Sequence, residues 1–403
     1  MTRNLTAATV AFALLGMFFA SYATLDFANH LDRQVHNIHC SFIPGVEAAA
    51  SDSSGCQVTL MSRYSSVLRT KVWGGIPVSL PGMALFAFLG FWGSYLLASK
   101  RHTERTAAYF TLLAWTVPLL TSCVMGYLAL VELDAACKLC IGIYTCSTLG
   151  FLTSIGLVWA ARKEPVAPNA DTSPRREMIA AAVGVVFIML PIAGYVASMP
   201  DYSEFAGGCG ELRNPQIPND LLVSLGGSAT GRATIEVLDP LCPSCKGLEG
   251  RLQASGLDAQ LNRKALLFPL DNACNWMVST SLHPGACAIS EAMLCEPSQA
   301  NAILAWAFEN QPAITDAERA TEGSAARMVT ERFPDVRGCV GSARIGQRLN
   351  RGLRWAVTNQ IPVLTPQLFV EGRKVCNEDT DLGLEYTLSR MLETPAVAQG
   401  GAR

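Results

Sequence analysis

Apolar residues crowd the first half of the chain and thin out in the second. Five runs, at about 6–27, 76–98, 107–131, 139–160 and 178–199, are nearly free of charge. Each approaches or exceeds the roughly 20 residues that a helix needs to cross a bilayer. The first run could instead be a signal peptide, because Ser21-Tyr22-Ala23 resembles a small-residue cleavage site. Its single basic residue, Arg3, and its long apolar run favour a retained anchor. From residue 232 the period changes. RATIEVL alternates as a strand does, and DPLCPSCKGLEGRL reads as a turn running into a helix. Helical periodicity fills about 285–358, and PQLFVEGRKV then reads as a strand, a Glu-Gly turn and the start of another strand. Two connectors separate these regions: the Pro- and Ala-rich KEPVAPNADTSPRR at 163–176, and a Gly- and Pro-punctuated stretch at about 200–220.

Basic residues in the short loops orient the spans. Lys100, Arg101 and Arg105 flank one loop, and Arg162, Lys163, Arg175 and Arg176 flank another. With Arg3, they assign the N-terminus and both loops to the cytoplasm. The segment 28–75, the turn at 132–138 and everything after residue 200 then face outward. Arg33, Arg63, Arg69 and Lys71 in the outward segment weaken this bias without reversing it.

Composition agrees with a chain that is part membrane and part water-soluble. Half of its 403 residues are hydrophobic, only 16% are charged, and the formal net charge is −2. No basic run is long enough to track phosphates, which argues against nucleic acid as a partner. Fourteen cysteines are many for a reducing compartment, so an oxidising one is expected.

Two Cys-x-x-Cys pairs carry the candidate chemistry. Cys242 follows a strand and opens a helix, where unpaired N–H groups and the helix dipole favour a thiolate. Pro243 fits the first helical turn, which needs no N–H donor. Cys245 lies one turn on, so Cys242 is expected to be the nucleophile and Cys245 the resolving thiol. A zinc site would need a second such pair nearby, but the other cysteines of this region are scattered singly, and no metal is expected. Cys137 and Cys140 fall on the first turn of the fourth span, where they are either redox-active or inert packing.

A strand, CPSC, a helix and then Thr365-Pro366 leading into QLFVEG resemble the thioredoxin fold. The helical stretch between them resembles the inserted subdomain of the DsbA type of periplasmic thiol oxidase, and the likeness covers roughly 220–393. It implies that Pro366 is cis and packs beside the dithiol, and that the Thr365 backbone pairs with substrate. The chain departs from the pattern at Ser244, where strongly oxidising members have His.

The set Cys40, Cys56 within CQVTLMSRY, GIPV at 75–78 and CKLCIGIY at 137–144 resembles the vitamin K epoxide reductase family over about 6–162. That resemblance implies that Cys137 and Cys140 are the active-site pair, with Cys140 nearer a quinone. It implies a shuttle pair in Cys40 and Cys56, a quinone neighbour in Ser62, and a hydrogen bond from Tyr144 to a quinone carbonyl. The expected architecture is an α-helical membrane protein, a four-helix bundle plus a fifth transmembrane helix, followed by an α/β thioredoxin-fold domain with a helical insertion. Its segments are 1–162 (membrane domain), 163–219 (linker, fifth helix, linker) and 220–395 (thioredoxin-like domain).

The implied function is disulfide formation in secreted proteins by a multi-pass protein of the bacterial inner membrane, with the thioredoxin-like domain in the periplasm. Electrons would run from substrate cysteines through Cys242/Cys245, Cys40/Cys56 and Cys137/Cys140 to ubiquinone or menaquinone. The partners would be secreted or periplasmic proteins with reduced cysteines, membrane lipid and the quinone. Two other readings stay open: a reductive or isomerase role coupled to quinone recycling, and a non-catalytic membrane-tethered chaperone. Cys123 and Cys146, among apolar neighbours, are expected to pack rather than react. The other six cysteines allow three structural disulfides, of which Cys274–Cys287 is the preferred local bridge. His36 and His39, just before Cys40, read as part of a solvated loop.

Overall fold

The five apolar runs form five helices: α1 (Thr2–His30), α2 (Ser79–Ala98), α3 (Arg105–Tyr127), α4 (Lys138–Lys163) and α5 (Arg175–Ser198). A π-helical turn, Leu128–Glu132, carries α3 further. The coordinates are a computed structural model describing residues 1–31, 58–60, 62–133, 135–164 and 175–393. Contacts divide the chain into two compact units, Met1–Pro200 and Asp201–Arg403.

All five helices are long and apolar enough to cross a membrane, which is compatible with a multi-pass membrane protein. Their outward faces carry Leu113, Leu120 and Leu190, each 60–70% exposed. Such a surface suits hydrocarbon and would be a liability in water. Because lipid does not drive helices together, close packing and polar ties must do so. Helix α1 packs along α2 and α4, α3 along α4, and α5 along α2. Trp115 of α3 is fully buried against Gly150 of α4, where an added Cβ would come within 2.1 Å of the indole ring. Side-chain hydrogen bonds add cross-links: Thr24 to Ser79 (2.8 Å), Trp92 Nε1 to Thr111 (3.0 Å) and Ser122 to Ser147 (2.9 Å).

A small antiparallel hairpin, β1 (Ser66–Val67) and β2 (Ile76–Pro77), leads into α2. Gly-Ile-Pro-Val therefore forms the second arm of this hairpin rather than the start of the span. Buried Arg69 holds the hairpin's base, its Nε donating to Ser66 Oγ at 2.7 Å and its guanidinium also reaching the Ser62 carbonyl. Trp73 Nε1 donates to the Leu31 carbonyl at 3.2 Å, and the Tyr195 hydroxyl to that of Gly75 at 3.2 Å.

The second unit is built on a five-stranded sheet of β3 (Leu222–Gly227), β4 (Arg232–Leu238), β5 (Leu261–Leu267), β6 (Gln367–Val370) and β7 (Arg373–Lys374). Its spatial order is β3-β5-β4-β6-β7. The central pair, β4 and β5, is parallel and joined through α6 (Pro243–Ser255), while the other pairs are antiparallel. Five helices lie between β5 and β6: α7 (Ala286–Cys295), α8 (Ala300–Glu309), α9 (Gln311–Ala320), α10 (Ser324–Arg332) and α11 (Ala343–Thr358). Helix α12 (Leu384–Glu393) closes the unit. Adjacent strand residues serve opposite faces, as a pleat requires. Leu238 joins the core with α7, α8 and α10, whereas Val237 packs with Leu353 of α11. Strands β3 and β5 add to what the sequence pattern identified.

Three disulfides bind this unit: Cys209–Cys376, Cys274–Cys287 and Cys295–Cys339. Only the second is local, and it is the bridge the sequence favoured. Cys146 is buried among its helix neighbours, whereas Cys123 faces outward on α3.

Candidate redox sites

Cys137 caps the N-terminus of α4 with extended backbone, and its sulfur accepts the Cys140 N–H at 3.3 Å. The first N–H groups of a helix have no intrahelical acceptor, so a cysteine in this place satisfies one and gains a donor to its sulfur. Cys140 follows within the first turn. Cys137 is buried, while Cys140 lines a cavity of about 340 Å³ inside the first unit.

That cavity is walled by Ala20 and Phe27 of α1, Leu85 and Phe86 of α2, Pro118 of α3 and Ile143 of α4. Its polar groups are few: Cys140, Tyr144 and the hydroxyls of Thr59, Ser65, Ser79, Thr121, Ser122 and Ser147. Tyr144 lines the same cavity as Cys140, one helical turn further along α4. The Tyr144 ring packs beside Gly126 of α3, at an ordinary contact distance of 3.5 Å from where a Cβ would stand. Ser62 does not line this cavity. Its hydroxyl donates to the Thr59 carbonyl at 2.8 Å, and Thr59 and Ser65 face the cavity in its stead. Cys40 and Cys56, with His36 and His39, lie outside the described residues.

In the second unit, Cys242 is the N-cap of α6 and Pro243 its first residue. The Thr365–Pro366 peptide bond is cis, and the Cys242 thiol donates to the Thr365 carbonyl at 3.6 Å. Pro366 thus sits beside the dithiol. The two sulfurs of the pair are unlike. Hydrogen bonding from Cys245 is the largest influence on Cys242 and lowers its pKa to about 6; burial opposes it, and contacts with Thr365 and the Cys245 N–H add to it. Cys245 is wholly buried, and burial first, then the neighbouring Cys242 sulfur, pushes its pKa well above the usual thiol range. The arrangement favours a thiolate on Cys242 over one on Cys245.

Three groups around this pair were not singled out in the sequence. Glu236 of β4 is buried beside Arg263 of β5 (2.9 Å), which also pairs with Glu249 of α6. Burial raises the Glu236 pKa despite that partner, and its charge is felt at Cys245. Asp239, fully buried at the end of β4, accepts the N–H groups of Leu241 (2.8 Å) and Leu270 (2.7 Å). Its Oδ2 also meets His283 Nδ1 at 2.7 Å. An acid set among the apolar residues of RATIEVL, and another directly after it, are signals that could have drawn attention to Glu236 and Asp239. His283 lies forty-four positions from its partner and had no such signal.

Residues 7–155 match the family model described as the Vitamin K epoxide reductase family. This is an oxidoreductase family whose enzymes use quinone-type redox partners in general, and the match supports a redox enzyme. It spans α1 to α4, including the hairpin, every lining residue of the cavity but Ile188, and Cys137/Cys140, and ends within α4. Comparison with curated proteins gave no match.

Proposed function

We propose that this protein is a quinone-dependent protein thiol–disulfide oxidoreductase that forms disulfides in secreted proteins. The observation that carries the reading is the placement of its two dithiols. One sits at the head of a helix in a sheet domain, with an activated outer sulfur. The other has one sulfur on the wall of an apolar cavity among five membrane-type helices.

The second unit acts as the entry point and is thioredoxin-like, of the DsbA type. Its parallel central strands, the Cys-x-x-Cys at the head of the crossover helix and the cis-proline facing it all favour this assignment. A substrate thiolate attacks the Cys242 sulfur of the oxidised pair, breaking the Cys242–Cys245 bond and forming a mixed disulfide. A second substrate thiolate displaces Cys242. The substrate gains one disulfide, and Cys242 and Cys245 take up two electrons and two protons. Because the reduced form is stabilised as a Cys242 thiolate, the disulfide form is oxidising, which favours this direction over a reductive or isomerase role. Cys40 and Cys56 then pass the pair of electrons to Cys137/Cys140 by two further exchanges.

The cavity beside Cys140 fits a quinone headgroup. It is apolar on most of its surface, it opens on one sulfur of the dithiol, and Tyr144 offers a hydroxyl to a carbonyl oxygen. A bound quinone supplies a two-electron, two-proton acceptor for the Cys137/Cys140 dithiol. The surrounding apolar side chains exclude water. The basic loops favour the bacterial inner membrane, with the second unit in the periplasm.

Substrate entry can be tested by trapping. Cys245→Ala should accumulate secreted proteins as dithiothreitol-sensitive mixed disulfides on Cys242 in the cell envelope. Cys242→Ala/Cys245→Ala should accumulate none. If Cys245→Ala traps nothing, the second unit is not the entry point.

A further inference from the structure

We propose that His283 is a positioning residue for Cys242, supplying from the loop between β5 and α7 the cation that Ser244 does not place within the Cys-x-x-Cys. The proposal rests on reading Cys242/Cys245 as the entry dithiol.

The geometry begins with Asp239. Its carboxylate holds the turn into the active-site helix through the Leu241 and Leu270 N–H groups, and its own carbonyl accepts the Cys242 N–H at 3.2 Å. That anion is costly for the nucleophile, since a buried negative charge three residues away opposes a second one on Cys242. His283 meets the same carboxylate at 2.7 Å with a side chain only 18% exposed. An imidazolium there offsets the anion, so the turn keeps its hydrogen-bond acceptor and the thiolate loses its repulsion. The charged groups acting on the ring are Asp239, Cys242 and Asp271; burial works against its protonation, but these outweigh burial and raise its pKa.

The loop that carries His283 is fixed for this task. The Cys274–Cys287 disulfide closes it. Asp271 accepts the Gly285 N–H (2.9 Å) and the Ser281 hydroxyl (2.7 Å), and the His283 N–H donates to the Leu270 carbonyl at 3.2 Å. A histidine kept only for packing would not need an anionic partner next to the nucleophile.

The test uses the full-length protein in detergent. In wild type with labelled histidines, the His283 resonance, identified by its loss in His283→Gln, should titrate at higher pH in the reduced protein, where the thiolate is present, than in the oxidised one. Identical titrations in the two redox states would overturn the proposal. In His283→Gln, the pH of half-maximal Cys242 alkylation should rise by about one unit. The glutathione equilibrium should then shift about tenfold, roughly 30 mV, toward a less oxidising disulfide. His283→Lys, which keeps a cation, should restore most of both values. An unchanged alkylation profile in His283→Gln would also overturn it. Should His283→Gln fail to fold, the His283→Lys resonance pattern identifies the signal, and the wild-type titration decides. Failure of quinone turnover would count against the proposed pathway and leave these titrations untouched.

Discussion

At the scale of single residues, reactivity here is set by which sulfur can hold a negative charge. Cys242 has hydrogen-bond donors and the head of α6 on its side, whereas Cys245 is fully buried beside the Cys242 sulfur and a buried carboxylate. In the reduced protein, Cys242 alkylation should therefore be half-maximal near pH 6 and nearly flat above pH 7, as followed by iodoacetamide kinetics. A midpoint in the ordinary thiol range, near 9, would contradict the geometry. The linked stability has a definite sign. A depressed folded-state pKa stabilises the reduced protein fully above the unfolded thiol value and is lost as pH falls through about 6. Raising the pH from about 5 to 8 should thus raise the melting temperature of the reduced form relative to the oxidised form.

The place of Cys242 and Cys245 at a helix head was legible because helix starts are local events that a few adjacent residues specify, whereas the cis bond at Pro366 was implied only by the likeness to the thioredoxin fold. Asp239 and His283 were not, because their pairing is made by tertiary closure of a loop forty-four residues away. Ser62 shows a similar limit. The family resemblance implies that it neighbours a quinone, whereas the direction of its hydroxyl, which donates to the Thr59 carbonyl, is set by local folding that the motif does not specify.

At the scale of elements, the helices were easy to read and two of the strands were not. A membrane-type helix advertises itself through an unbroken apolar run, since it is solvated by hydrocarbon around most of its surface. β5, LNRKALL, hides its alternation because the inward Arg263 is buried against Glu236 and Glu249. β3 ends in Gly226 and Gly227, where the register slips and the apolar signal stops. Helix packing in the first unit depends on close approach, most sharply where Trp115 lies on Gly150. Gly150→Ala should force that ring outward and cost about 1–3 kcal/mol, seen as a lower melting temperature in detergent. Gly194→Ala on α5, with nothing within 4 Å of its added Cβ, is the matched control and should be neutral or slightly stabilising. Equal melting temperatures for the two variants would refute this view of the α3–α4 contact.

At the scale of the whole molecule, the proposed function has the two units divide a problem of solvent. Protein thiols react in water, and a quinone dissolves in lipid, so no single dithiol reaches both. The chain answers with an activated dithiol in a sheet domain and a second dithiol against an apolar cavity, and the fourteen cysteines fit an oxidising compartment. The most direct test of this account is quinone reduction by the purified full-length protein, with a reduced secreted dithiol protein as electron donor. Wild type should reduce quinone with one donor disulfide formed per quinol, and Cys140→Ala and Cys242→Ala should each abolish turnover. Sustained turnover in Cys140→Ala, or none in wild type, would contradict the relay.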